Sequence, residues 1–210
     1  MATMSMNKVI HRAFRRDLDR FVDALGRFRA GDHERAKALG LAWDNFEDQL
    51  THHHTGEHEI AWPALEEMGV SRELLDQMDA AHDVMAAALG DTLTAMTRLR
   101  TSASAEDAAA AKAAFEQLRT VTVNHLDHEE AEIEPVYLAN MDHPAAKEMG
   151  KRFAKVSPAR GGRFFAWLGD GASEEETAAF SATVPGPVLA IIGGIFGRGY
   201  RRTVAPVWRS

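Results

Sequence analysis

The sequence predicts an all-α protein: an up-down-up-down four-helix bundle over residues 1–148, followed by a C-terminal helical and loop extension over residues 149–210. Three observations carry that prediction. Apolar residues recur every three or four positions through four long stretches, the spacing of one helix face. Short segments of glycine, proline and small polar residues separate the stretches. Finally, residues 53–63 read His-His-Thr-Gly-Glu-His-Glu-Ile-Ala-Trp-Pro and residues 125–135 read His-Leu-Asp-His-Glu-Glu-Ala-Glu-Ile-Glu-Pro. Each has His, then Glu four residues on, then Pro six residues after that Glu.

The bulk composition narrows the chemistry. Apolar residues make up 45% of 210 residues, enough for a substantial core, and the net charge of −7 argues against a general nucleic-acid binder. With no cysteine in the chain, metal chemistry has to run on histidine and carboxylate. Residues 1–17 carry no apolar core segment, so no signal peptide is expected. The longest apolar run, residues 184–196, is too short and too broken by proline and glycine to span a bilayer. A cytoplasmic protein is the expectation.

The first helix should cover residues 6–29, with an inward stripe of His11, Phe14, Leu18, Phe21, Leu25 and Phe28. The second should start from Asp32 as N-cap, with Glu34 at the positive end of the helix dipole. Its stripe is Leu39, Trp43, Phe46, Leu50, His53, Glu57 and Ile60, and Pro63 then kinks or ends it before Gly69. Ser71 is a good N-cap for a third helix, whose stripe is Leu75, Met78, His82, Met85 and Leu89. Residues 101–105 form a small-residue turn. A fourth helix over residues 106–134 carries Phe115, Leu118, Thr122, His125 and Glu129 inward, and Pro135 closes it.

Residues four apart on a helix sit one above the other. His53 with Glu57, and His125 with Glu129, therefore each offer an imidazole and a carboxylate in one direction. In an up-down-up-down bundle, His11 and His82, early in their helices, lie at the same end as those two late pairs. Six such groups at one level would be costly without a cation, whereas two metal ions bridged by the carboxylates would satisfy them. His52, His54, His58 and His128 lie off the stripes, and His33 and His143 lie near helix ends; His54 with His58 is expected to be a solvated pair. Glu59, Glu130 and Glu132 could hydrogen-bond the ligand imidazoles, with at least two of the three facing water.

These residues resemble a hemerythrin-like, HHE cation-binding domain. The features that carry the resemblance are His11 in a His-Arg-x-x-Arg-Arg-Asp-Leu helix, His53-x-x-x-Glu57, the isolated His82, and His125-x-x-x-Glu129. It covers residues 9–141. The resemblance implies a non-haem di-iron centre, two iron ions with an oxo or hydroxo bridge, manganese or zinc being alternatives. His11, His53, His82 and His125 would be nitrogen ligands, and Glu57 and Glu129 bridging carboxylates. Oxygen-carrying members use a fifth histidine four residues from another on the third helix; here those positions are Met78 and Ala86. One nitrogen ligand fewer would leave a coordination position open, as catalytic metal sites do.

The expected function is binding of, or reaction with, dioxygen, nitric oxide or peroxide behind an apolar wall of Phe14, Trp43, Phe46, Met78 and Met85. The alternative is an iron- or oxygen-sensing regulatory module without turnover. In the extension, residues 151–163 read as a basic, glycine-containing loop and residues 173–182 as a short helix capped by Ser173 and Glu176. The apolar residues 188–200 are expected to be covered, as a strap over the bundle or a homodimer contact, rather than to lie on a membrane.

Overall fold

Ser5 begins the first helix by accepting a hydrogen bond from the Lys8 amide at 3.0 Å. The computed structural model describes residues 4–184 and 186–209, and among them every regular element is helical. Helix α1 spans Met6–Gly26, three residues shorter than expected, because tight bonds from Arg27 and Phe28 back to Ala24 and Leu25 end it early. Helix α2, His33–Gly56, starts at Asp32, whose carboxylate accepts from the Arg35 amide at 2.9 Å. Helix α4, Arg72–Ser102, starts at Ser71, and α5, Ala105–Glu132, at Ser104. Ala103 makes the turn between them in the left-handed region at φ 48°.

Between α2 and α4 the chain winds a π-helical turn, Glu57–Ala61, and a short helix α3, Trp62–Glu67, with Pro63 in its first turn. Proline has no amide proton, so the Glu59 carbonyl four residues back loses its helical donor. The Arg152 guanidinium supplies one instead, at 3.0 Å. Gly69, at φ +97°, then reverses the chain. Pro135 acts likewise after α5, in the first turn of α6, Glu134–Ala139.

The four long helices form a ring of contacts, α1 with α2, α2 with α4, α4 with α5, and α5 with α1. Phe14, Leu18, Phe21, Leu39, Phe46, Leu50, Met96, Leu99 and Phe115 fill its interior with no exposed surface. Each such side chain contributes roughly 1.5–3 kcal/mol of burial. Phe21 stacks on Phe115 with centroids 4.2 Å apart, joining α1 to α5. A smaller apolar group around Trp62, Leu65, Leu75, Met78 and Ile133 closes the end that carries the two prolines.

The extension is more ordered than its sequence suggests. Residues 151–163 are not a loop: α7, Pro144–Phe153, runs into them, and α8, Pro158–Leu168, starts within them at Ser157. Their glycines serve packing rather than turning. A Cβ on Gly162 would meet Phe196 Cβ at 2.4 Å and the Ile192 carbonyl at 2.6 Å, so only glycine admits that neighbour. Helix α9, Glu174–Thr183, has the expected capping box of Ser173 and Glu176. A single turn α10, Gly186–Val188, leads into a π-helical segment, Leu189–Phe196, then α11, Arg198–Thr203, and a 3-10 turn, Ala205–Arg209.

Trp167, Leu168, Tyr200, Val204 and Val207 belong to the same continuous core as the ring of helices. The anchor is Asp17, buried on α1. It accepts from Trp167 Nε1 at 2.7 Å, Arg16 Nε at 3.0 Å and Arg20 Nη1 at 3.1 Å. Arg20 also reaches Asp170, which accepts from the Tyr200 hydroxyl at 3.1 Å. Part of the apolar segment is left exposed by the single chain. Ile191, Ile195 and Phe196 remain 58%, 51% and 44% exposed.

Candidate metal centre

His11 near the start of α1, His53 near the end of α2, His82 early in α4 and His125 late in α5 come to one end of the ring, with Glu57 and Glu129 among them. They form two groups. One is His54, Glu57, His82 and His125; the other is His11, His53, Glu57 and Glu129. Within each group the nearest side-chain donor atoms all lie within 4.8 Å of one another.

Glu57 belongs to both groups. Its Oε1 is 2.9 Å from His53 Nε2 and its Oε2 is 3.3 Å from His82 Nε2. Glu129 also reaches across, its Oε2 lying 3.2 Å from His11 Nε2 and 3.8 Å from His125 Nε2. Burial disfavours the ionised form of Glu57, but the surrounding His53 and His82 outweigh it and hold the carboxyl well below its ordinary range. Burial equally opposes charge on His11, yet Glu129 and Glu130 raise it to about 9. In His125 burial and the neighbouring His82 act together and push it down to about 3.

His54 is the residue that stripe reading misplaces. It is not half of a solvated pair with His58. Its ring stacks on His82 at 4.2 Å between centroids, and burial lowers its basicity well below that of a free imidazole. His58 is exposed and pairs with Asp79 at 3.1 Å. Successive helical residues point about 100° apart, so a single stripe keeps only one of two adjacent histidines. Here the two groups lie on either side of Glu57, and His53 and His54 each face one of them. A legible signal was present: His54 is three residues before Glu57 and His53 four, so both share a flank with that carboxylate. The two groups thus contain five imidazoles, one more than the four expected from the sequence.

Neighbours hold these rings in place. The His11 Nδ1–H donates to Glu130 Oε1 at 2.8 Å, and Arg15 donates to the same oxygen at 2.7 Å. Glu59 and Glu132, the other two acids weighed for this role, are exposed. Asn7 donates to Glu129 Oε1 at 3.0 Å. Sequence reading overlooked Asp79, which accepts from Trp62 Nε1 at 2.8 Å while Trp62 stacks over His82. Phe14 packs its ring 5.3 Å from that of His53. Phe14, Trp43, Phe46, Met78 and Met85, the expected wall, are all fully buried.

The donor atoms facing inward are buried without hydrogen-bond partners: His11, His53 and His54 Nε2, both Glu57 oxygens, and Glu129 Oε2. Close pairs such as His53 Nε2 and Glu57 Oε1 are out of line for a hydrogen bond. Buried polar atoms left unsatisfied in such number are destabilising. Imidazoles and carboxylates converging on two points are the donor set that divalent transition metals accept. The residues therefore fit a pair of cations.

Residues 7–137, more than half of the chain, match the hemerythrin HHE cation binding domain. The chain belongs to that family. Its matched span takes in every residue of both groups. The comparison with curated proteins and that with solved structures each give no match. The match ends within α6, so α7 and everything after it lies beyond it.

Proposed function

We propose that this hemerythrin-like domain, an up-down-up-down bundle over residues 1–148, holds two iron ions and uses them to bind or react with dioxygen, nitric oxide or peroxide. His54, His82 and His125 would serve one ion, His11 and His53 the other, and Glu57 and Glu129 both. The observation that carries this reading is Glu57, whose two buried, unbonded oxygens each face a different set of imidazoles. When bound, an iron pair supplies one-electron redox change and positions for small exogenous ligands.

The chain supplies everything around that chemistry. Two ferrous ions against two carboxylates leave the site cationic, which favours small anionic or polarisable ligands. Glu130 fixes the His11 tautomer so that Nε2 faces inward, the usual role of a carboxylate behind a ligand imidazole. Phe14, Met78 and Met85 leave little room and keep bulk water out. No acid–base group is placed for a large organic substrate, and the partners are accordingly small molecules rather than nucleic acid. The setting proposed is the cytoplasm.

Elemental analysis of the as-isolated protein, with its near-ultraviolet spectrum before and after nitric oxide and peroxide, tests this. About two irons per chain and a spectrum altered by either reagent are expected. Absence of iron, or indifference to both reagents, would rule the reading out.

A second reading has its own support. The Phe14 ring touches both His53, at 5.3 Å, and Trp167 of the extension, at 5.0 Å. A domain that senses iron or oxygen without turnover could pass a change at His53 to the extension by that contact. Metal removal would then alter Trp167 fluorescence while nitric oxide and peroxide are not consumed.

A further inference from the structure

We propose that the extension is a membrane-surface anchor, with residues 189–202 docking on a bilayer of anionic phospholipid. The inference is independent of the metal centre. Two glycines in and just after the π-helical segment face the protein: Gly193 and Gly197 are buried, and a Cβ on Gly197 would meet Ala166 Cβ of α8 at 2.8 Å. The Gly162 contact with the Ile192 carbonyl completes this tight seam. Leu189 and Ile192 are half-buried, whereas Ile191, Ile195 and Phe196 are among the most exposed apolar side chains of the described residues. A water-exposed segment of a soluble protein normally has the opposite arrangement.

The charge around the patch selects the partner. Residues 149–210 carry nine Lys and Arg against four Asp and Glu, in a chain whose net charge is −7. After Glu176 the sequence has no further acid, while Arg198, Arg201 and Arg202 directly follow the apolar side chains. Arg201 is occupied, donating to the Gly193 and Gly194 carbonyls at 3.0 Å and 2.7 Å and so locking the segment's end. Arg198 and Arg202 are exposed. Protruding apolar side chains followed by arginines, in a stretch of sequence without Asp or Glu, match the boundary between headgroups and acyl chains. Among the described residues no single helix is long and apolar enough to cross a membrane, and α9 with the segment through Phe196 reaches that length only as a pair bent by 106°; the contact proposed is with the bilayer surface.

The test sediments the full chain with mixed phosphatidylglycerol–phosphatidylcholine vesicles and with pure phosphatidylcholine vesicles. Binding at least about tenfold stronger to the mixed vesicles, and weakened by salt, is expected. The exposed pair Ile191→Ser with Ile195→Ser should lower it by about tenfold or more. Arg198→Gln with Arg202→Gln should lower it by about fivefold per arginine. Should one pair unfold, the other decides. The proposal is overturned if phosphatidylglycerol brings no enrichment, or if a folded variant pair binds like the parent. It is equally overturned if the protein without lipid is a dimer that Ile195→Ser separates, which would make a second copy the occupant.

Discussion

The Nε2 atoms of His82 on α4 and His125 on α5 lie 3.1 Å apart. That is about the separation of two nitrogens bonded at a right angle to one ion, with bonds of ~2.1 Å. Without an ion only one ring can donate a proton to the other, and burial together with the neighbouring His82 depresses the basicity of His125. His82→Ala should therefore remove one group and leave about one metal ion per chain. Glu57→Ala, which touches both groups, should leave well under one. Metal analysis of the purified variants distinguishes the two patterns, and equal losses would contradict the paired arrangement.

His54 and His58 give a sharper contrast, because both are histidines on one turn and only His54 faces the metal donors. His54→Ala should lower metal content or shift the visible spectrum, while His58→Ala should do neither. A His54→Ala protein with unchanged metal content and spectrum would remove that residue from the centre.

Glu130 holds His11 by its Nδ1 proton, and loss of such a carboxylate typically costs 10–100-fold in metal affinity. Glu130→Ala should show a loss of about that size in competition with a chelator. Glu132→Ala, on the exposed flank, serves as the control.

Stripped of metal, the fold should be most stable near pH 6.5. His11 is raised to about 9, so the stability it contributes is whole below 6.5 and is lost as pH climbs through 9. His125 is depressed to about 3, so stability is lost in the other direction as pH falls from 6.5 toward 3. The His11 contribution is roughly 3 kcal/mol. Metal must displace the His11 proton, so the loaded protein should lose the alkaline decline; melting curves of both forms from pH 6 to 10 check this.

Asp17 collects Trp167, Arg16 and Arg20 at one buried carboxylate. Asp17→Ala should cost about 2–3 kcal/mol, since hydrogen bonds to charged groups are worth that much and their donors would be stranded. For a chain of this size that lowers Tm by roughly 5–10 °C. An unchanged melt would mean the extension is held by its apolar contacts alone.

How far the chain can be read without its fold differs between its parts. The four long helices were legible because each stripe repeats over many turns, and two of the starts show a capping side chain, Asp32 and Ser71. His11, His53, Glu57, His82, His125 and Glu129 were legible because they continue those stripes. His54 was not, since its direction matters only once a second group of donors is known to stand on that side of Glu57. Nor was Asp79, whose partners Trp62 and His58 are brought to it by the π-helical turn.

The extension marks the same boundary from the other side. Its glycines suggested a loop, because composition does not say whether a missing Cβ serves a turn or a close approach. By itself the sequence determined an all-helical chain, an imidazole–carboxylate pair on two of the long helices and a single inward histidine on each of the other two, since these follow from periodicity within a segment. Only the tertiary structure decided how the donors divide into two groups, that a fifth imidazole lies among them, and which apolar side chains are left exposed. Those are contacts between segments far apart in the chain, and no local pattern encodes them.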